Sequence, residues 1–227
     1  MKRLIVRIGL GIVMGGLLWG GLTANQAMAT LVTFNFTGAV TSVGSQLSGG
    51  PFSVTQPVTG SYTFESTTPV SVSGTTGTYS GALTGSPTYL NVTIGTYVAS
   101  LAAGDNNIQV KNTAGMSGDA YKVEGLFSGL PVGTHDARNF ELALKDPSGN
   151  PFNSVALPTT PPSLNSFADR TLRLVFENGG NSRTVIVALG PLTAVPLPPA
   201  VILFGAGLIA LVGLGAGSWR QRKNSFA

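Results

Sequence analysis

The chain has 227 residues, with thirteen Lys or Arg, nine Asp or Glu, one His and no Cys. No disulfide, thiolate metal site or cysteine nucleophile can form, and one histidine leaves a zinc site short of its usual donors. The net charge of +4 sits at the two ends: residues 30–194 hold seven basic residues against nine acidic ones, so no basic face for nucleic acid is expected.

In chain order, the first element is "MKRLIVRIGLGIVMGGLLWGGLTANQAMA", residues 1–29. Lys2, Arg3 and Arg7 precede an uncharged apolar run from Ile8 to Leu22, and Ala27-Met28-Ala29 closes it. A positive start, an apolar helix and a small-x-small site make a signal peptide, which signal peptidase is expected to cut after Ala29, leaving Thr30 first.

Residues 30–194 then show a period of two. Val32, Phe34 and Phe36 alternate with polar neighbours, as do Leu90, Val92 and Ile94, then Phe140, Leu142 and Leu144, and finally Leu172, Leu174 and Phe176. Such alternation predicts strands with one buried face, and Glu141, Lys145, Arg173 and Glu177 all fall on the outer phase. "SGG" at 48–50, "SGTTGT" at 73–78, "GDNN" at 104–107 and "DPSGNP" at 146–151 read as loops. "NGGNS" at 178–182, between two apolar runs, reads as a β-hairpin turn. The proline-dense "LPTTPPSLNSF" at 157–167 is expected to be a surface crossover. The fold expected for 30–194 is all-β, an antiparallel β-sandwich.

Candidate chemistry in this region is sparse. His135, in "VGTHDARN", has no G-x-S-x-G elbow to serve, and a lone loop histidine reads as a surface group more readily than as a triad base. Asp105, Asp119, Glu124, Asp136, Glu141, Asp146, Asp169 and Glu177 could pair for glycoside hydrolysis, but none sits in a distinctive motif and they read as solubilising groups. Asp146, Ser148 and Asn150 alternate as in some calcium loops. Pro151 and Leu157 break the EF-hand pattern, so a turn is the simpler reading, with calcium there or at "GDNN" the alternative. Tyr97 and Tyr121 could form a sugar-stacking platform, though tyrosines at strand ends more often rim a core.

The last element is "VPLPPAVILFGAGLIALVGLGAGSWRQRK", Val195 to Lys223. Ala200 to Gly217 carries no charge and is long enough for a transmembrane helix. Trp219 and the basic tail Arg220, Arg222 and Lys223 follow it, and that tail is expected on the cytoplasmic side. Prolines at 196, 198 and 199 hold the chain before the helix extended, as a protease requires. The order of parts resembles the PEP-CTERM sorting signal, in a VPLP-type variant. Leu197 stands where the common motif has Glu, and Gln221 interrupts the basic run. The resemblance implies recognition at Val195, Pro196, Leu197 and Pro198 by an exosortase, a membrane-embedded protease-transpeptidase. It implies transient anchoring in the inner membrane by residues 195–227 before release to the cell surface or matrix. Several phrases, such as "FTGAVTSV" and "YLNVTIGTY", also resemble ectodomains found ahead of such tails. The function expected is therefore an exported, non-enzymatic protein, structural or adhesive and associated with exopolysaccharide, with no cofactor. The alternatives are a secreted carbohydrate-binding module, a glycan-active enzyme and a permanently anchored protein facing the periplasm.

Overall fold

A computed structural model describes residues 30–83, 89–113, 118–148 and 151–194. The alternating segments form ten strands: β1 (Leu31–Val43), β2 (Pro57–Glu65), β3 (Ser71–Ser73), β4 (Thr76–Ser80), β5 (Leu90–Ile94), β6 (Tyr97–Lys111), β7 (Asp119–Gly129), β8 (Asp136–Asp146), β9 (Asp169–Asn178) and β10 (Asn181–Ala194). All four alternating runs point their large side chains inward. Phe34, Phe36, Leu90, Val92, Ile94, Phe140, Leu142, Leu144, Leu172, Leu174 and Phe176 are each at most 1% exposed.

The sheet is not half of a sandwich. Its order runs β6-β5-β2-β1-β10-β9-β8-β7, and β7 pairs back onto β6, so eight antiparallel strands close into a barrel. The expected sandwich is thereby overturned. One-sided alternation is common to both architectures; what separates them is whether the sheet curls far enough to meet itself. Three irregularities supply that curl. β6 breaks register between Leu101 and Asn106, and β1 and β10 slip against one another at two places. The third is a close approach. Gly60, opposite Phe36, lies so near its ring that a Cβ would sit 2.3 Å from it. Bulges and glycines of this kind are what bend a sheet into a ring.

The "GDNN" stretch, expected as a turn, is the bend inside β6. Before it, β6 pairs with β5; after it, with β4; and β7 runs along both halves. β3 and β4 form a short flap beside the ring, and the "SGTTGT" stretch expected as a loop supplies its turn and the strand residues on either side. The hairpin at "NGGNS" forms as expected: Asn178 pairs with Asn181, with Gly179 and Gly180 at φ +54° and +84°, the two positive angles of a type I′ turn.

The strands run up and down in sequence, which sorts the connections between two ends. One end, here the hairpin end, carries the β1–β2, β5–β6, β7–β8 and β9–β10 links. The other, the terminal end, carries Thr30, Ala194, the β6–β7 link and the long β8–β9 crossover. An eight-stranded barrel is just wide enough for side chains to fill, and aromatic rings fill this one. At the hairpin end Phe52, from the β1–β2 link, packs on Tyr97 (ring centroids 5.0 Å apart) and Phe176 (5.5 Å), with Phe127 on Phe176. Towards the terminal end Phe34 meets Tyr62 and Phe64 edge-on, and Phe152 links Tyr121 to Phe167.

The "LPTTPPSLNSF" crossover does more than run over the surface. Leu164 and Phe167 are buried, Leu157 packs against the core, and a 3-10 turn spans Leu164–Ser166. Tyr79 donates its hydroxyl proton to the Val155 carbonyl at 2.8 Å, fastening the chain just before this segment to the flap. The segments expected to be helical, 1–29 and the membrane span after Ala200, lie outside the described residues. Among the described residues no helix is long and apolar enough to cross a membrane.

Candidate functional site

Two polar cavities stand out once the ring is closed. The first is a groove on the outer face of β6 to β9. The register places Asn107, Glu124, Glu141 and Arg173 side by side on four successive strands. Together with Asp105, Gly125 and Asn139 they line a cavity of ≈ 380 Å³. Two carboxylates directly opposite would repel, and each is answered by a donor. Lys122 Nζ lies 2.8 Å from Glu124, Asn107 Nδ2 donates to Glu124 at 2.9 Å, and Arg173 sits 3.9 Å from Glu141.

This arrangement sets the acidity of Glu124. Partial burial pushes its carboxyl up, but the hydrogen bonds from Lys122 and Asn107 and the Lys122 charge more than offset that and hold it below its ordinary value. A general acid for glycoside cleavage needs the opposite shift. The groove can exchange hydrogen bonds with hydroxyl groups; for Glu124 it does not supply the proton donor a hydrolase requires.

The second cavity is at the hairpin end, and it contains the residue whose placement differs most from expectation. His135 is not a surface group. A two-residue bridge between Val132 and His135 folds the β7–β8 link back on itself and leaves the imidazole 4% exposed. Around it lie Gln46, Gly133, Thr134, Asn178, Asn181 and Arg183, enclosing ≈ 470 Å³. Neither ring nitrogen of His135 has a protein hydrogen-bond partner, nor does the buried Nε of Arg183. Sequence reasoning named His135 but missed Arg183, Asn178 and Asn181. The two asparagines flank the Gly-Gly turn and were absorbed by its explanation as hairpin chemistry.

The other candidates fall into structural roles. Tyr97 and Tyr121 are 3% and 0% exposed and form no platform. Tyr62 donates to Tyr121 at 3.2 Å inside the barrel. Burial pushes both phenols up, with the neighbouring Tyr121 adding to the shift at Tyr62 and the bond from Tyr62 moderating that at Tyr121. Burial alone pushes Tyr97 up to about 12.

Of the carboxylates, Asp119 is buried and accepts backbone hydrogens from Thr113 (2.8 Å) and Phe152 (2.7 Å), tying two links of the terminal end together. Glu177 pairs with Arg138 at 3.3 Å. In the "DPSGNP" loop Ser148 donates to Asp146, as a turn requires, while Asn150 lies outside the described residues. The amide oxygen of Asn106 accepts from Leu83 N at 2.9 Å. No three His, Asp or Glu side chains converge on a metal-sized site among the described residues.

Thr30 is exposed at the terminal end, its carbonyl accepting from Ser66 N at 3.0 Å. The remaining processing residues, Ala27, Ala29, Val195, Pro196, Leu197, Pro198, Arg220, Arg222 and Lys223, lie outside the described residues. No family model, curated protein or solved structure matches this chain.

Proposed function

We propose that the chain is an exported, non-enzymatic barrel that is held briefly in the inner membrane by its C-terminal helix. An exosortase acting at Val195 to Pro198 then releases it to the cell surface or matrix, where it is a structural or adhesive partner of exopolysaccharide. The observation that carries this reading is the shared exit of the two ends. β1 and β10 are paired, with Phe34 opposite Ala194, so Thr30 and Ala194 lie at one end of the barrel. With strands of 11 to 14 residues around much of the ring, tilted as barrel strands are, the hairpin end lies roughly 25–35 Å from that exit. A protein tethered at Val195 therefore presents its hairpin end outward, clear of the bilayer.

Two further features support it. The barrel holds a continuous apolar core without disulfides, which suits a cysteine-free exported chain of this size. The carboxyl of Glu124 is held below its ordinary pKa, not raised, so it is not set up as the proton donor of a hydrolase, which favours a binding role for the outer groove.

Mass spectrometry of the C-terminus, on protein recovered from the surface and medium of the native host, tests the reading. A chain ending between Val195 and Pro199 is expected. A chain that still carries Ala200 to Lys223 makes the segment a permanent anchor and removes the exosortase.

A further inference from the structure

An imidazole with both nitrogens buried and unpaired is costly unless something supplies the missing bonds, and native structures seldom leave such groups unexplained. At the hairpin end the Tyr97 hydroxyl, His135 and the Nε of Arg183 share this condition, and of these His135 and Arg183 are residues that line the same open cavity of ≈ 470 Å³. That volume is of the size that holds small molecules, about 300–1,000 Å³.

The lining specifies the chemistry of the occupant. Among the described residues around it, Arg183 carries the one permanent charge and there is no carboxylate. Glu177, next to Asn178 in the chain, is paired with Arg138. One of the two terminal nitrogens of Arg183, Nη1, donates to the Ser182 carbonyl at 2.8 Å, which fixes the guanidinium at the rim. A guanidinium fork matches a planar two-oxygen anion, and one cation balances one negative charge. A phosphate monoester, with nearly two charges, would be under-compensated. The amides of Gln46, Asn178 and Asn181 offer donors and acceptors together, which is what a ring of hydroxyls asks for. Asn178 already donates to Thr134 Oγ1 at 3.0 Å, so the two polar links of this end are joined to each other before anything binds.

We propose that this cavity binds a sugar bearing one carboxylate, with Arg183 and His135 holding the carboxylate and the three amides the hydroxyls. The site belongs to the barrel alone and holds whether or not the tail beyond Ala194 is cut.

His135 is the one histidine of the chain, so the full chain labelled with 13C-histidine in detergent micelles gives one imidazole to follow by NMR. Sodium D-glucuronate should move that signal saturably, while D-glucose and sodium acetate at equal concentration should not. Arg183→Gln should weaken the response about tenfold. Ligand-detected NMR should find a similar loss in His135→Gln; if that variant fails to fold, Arg183→Gln carries the test. Arg170→Gln, at the opposite end of β9, should bind as the unaltered chain does. Absence of a glucuronate-induced shift overturns the site. An equal response to glucose overturns the carboxylate assignment, and an equal response to acetate overturns the sugar.

Discussion

The two ends of this barrel are stoppered alike and finished differently. At each, aromatic rings close the lumen: Phe52, Tyr97, Phe127 and Phe176 at the hairpin end, and Phe34, Phe64, Tyr62 and Tyr121 with Phe152 and Phe167 towards the terminal end. The polar groups buried among them part company. Towards the terminal end Tyr62 bonds Tyr121, and Asp119 accepts from two backbone amides. At the hairpin end the Tyr97 hydroxyl, both nitrogens of His135 and the Nε of Arg183 meet no protein partner. A buried polar group that is satisfied holds a fold together, while one left open is a cost the fold carries for some other reason. One end is built for cohesion, the other for an encounter.

The largest effect that would sharpen this contrast is expected at high pH. The phenols of Tyr62, Tyr97 and Tyr121 are raised in the folded chain, so the unfolded chain loses its phenolic protons first as pH rises. Their contribution to stability is present in full below about pH 10 and is lost above it. Tyr97 reaches its folded value at about 12, and Tyr62 and Tyr121 lie higher or in the same direction with a hydrogen bond between them. The hairpin end should therefore loosen first. Phenolate absorbance near 295 nm, followed in the unaltered chain, Tyr97→Phe and Tyr62→Phe alongside circular dichroism, checks the order: the step lost in Tyr97→Phe should fall at lower pH than the step lost in Tyr62→Phe, and the opposite order would reverse it.

Removing the stoppers comes next. Phe52→Ala should cost about 3–5 kcal/mol, the usual range for a buried Phe, and Phe167→Ala should fall at the lower limit of that range. Phe52 packs on two rings of the barrel wall, whereas Phe167 packs on Phe152, itself part of a link. Urea unfolding of the full chain measures both, and a larger loss for Phe167→Ala would make the crossover the stronger closure.

The smallest effect is expected from Asp119→Asn. It keeps the shape but turns one of the two accepting oxygens into an NH2, so one of the bonds from Thr113 and Phe152 is lost, at a cost of about 1–3 kcal/mol. Amide exchange should quicken in residues 151–167 and stay unchanged in 130–135. Equal quickening at both ends would mean that the ends are not independent.

Much of the wall was legible in the chain. Phe34 and Phe36, or Leu172, Leu174 and Phe176, announce strands because a pleat puts alternate side chains on opposite faces. Asn178-Gly179-Gly180 announces a primed turn because two successive positive φ angles admit little else. Closure was not legible. It depends on curvature, carried by a register break inside β6, by slips between β1 and β10, and by the seat of Phe36 over Gly60. Each leaves the period of two intact on either side and shifts at most its phase, as in β6, where the buried positions pass from 97, 99 and 101 to 106, 108 and 110, and a phase shift does not say how far a sheet curls. The site was half legible for a similar reason. His135 could be named as the one imidazole, but its burial follows from the fold-back onto Val132, and its meeting with Arg183 follows from the barrel bringing β10 beside the β7–β8 link.

The pairing of β1 with β10 has a consequence for how the protein is made. The strand that begins the ring, Leu31–Val43, finds one of its two neighbours only in the strand that ends it, Asn181–Ala194. Contacts that far apart along a chain carry a large loop-closure entropy and form late. Until Ala194 has cleared the ribosome, and any channel through which the chain is threaded, β1 and β9 each keep one exposed row of backbone donors and acceptors. The barrel cannot be assembled piece by piece as it emerges; it is finished by its last fourteen residues or not at all.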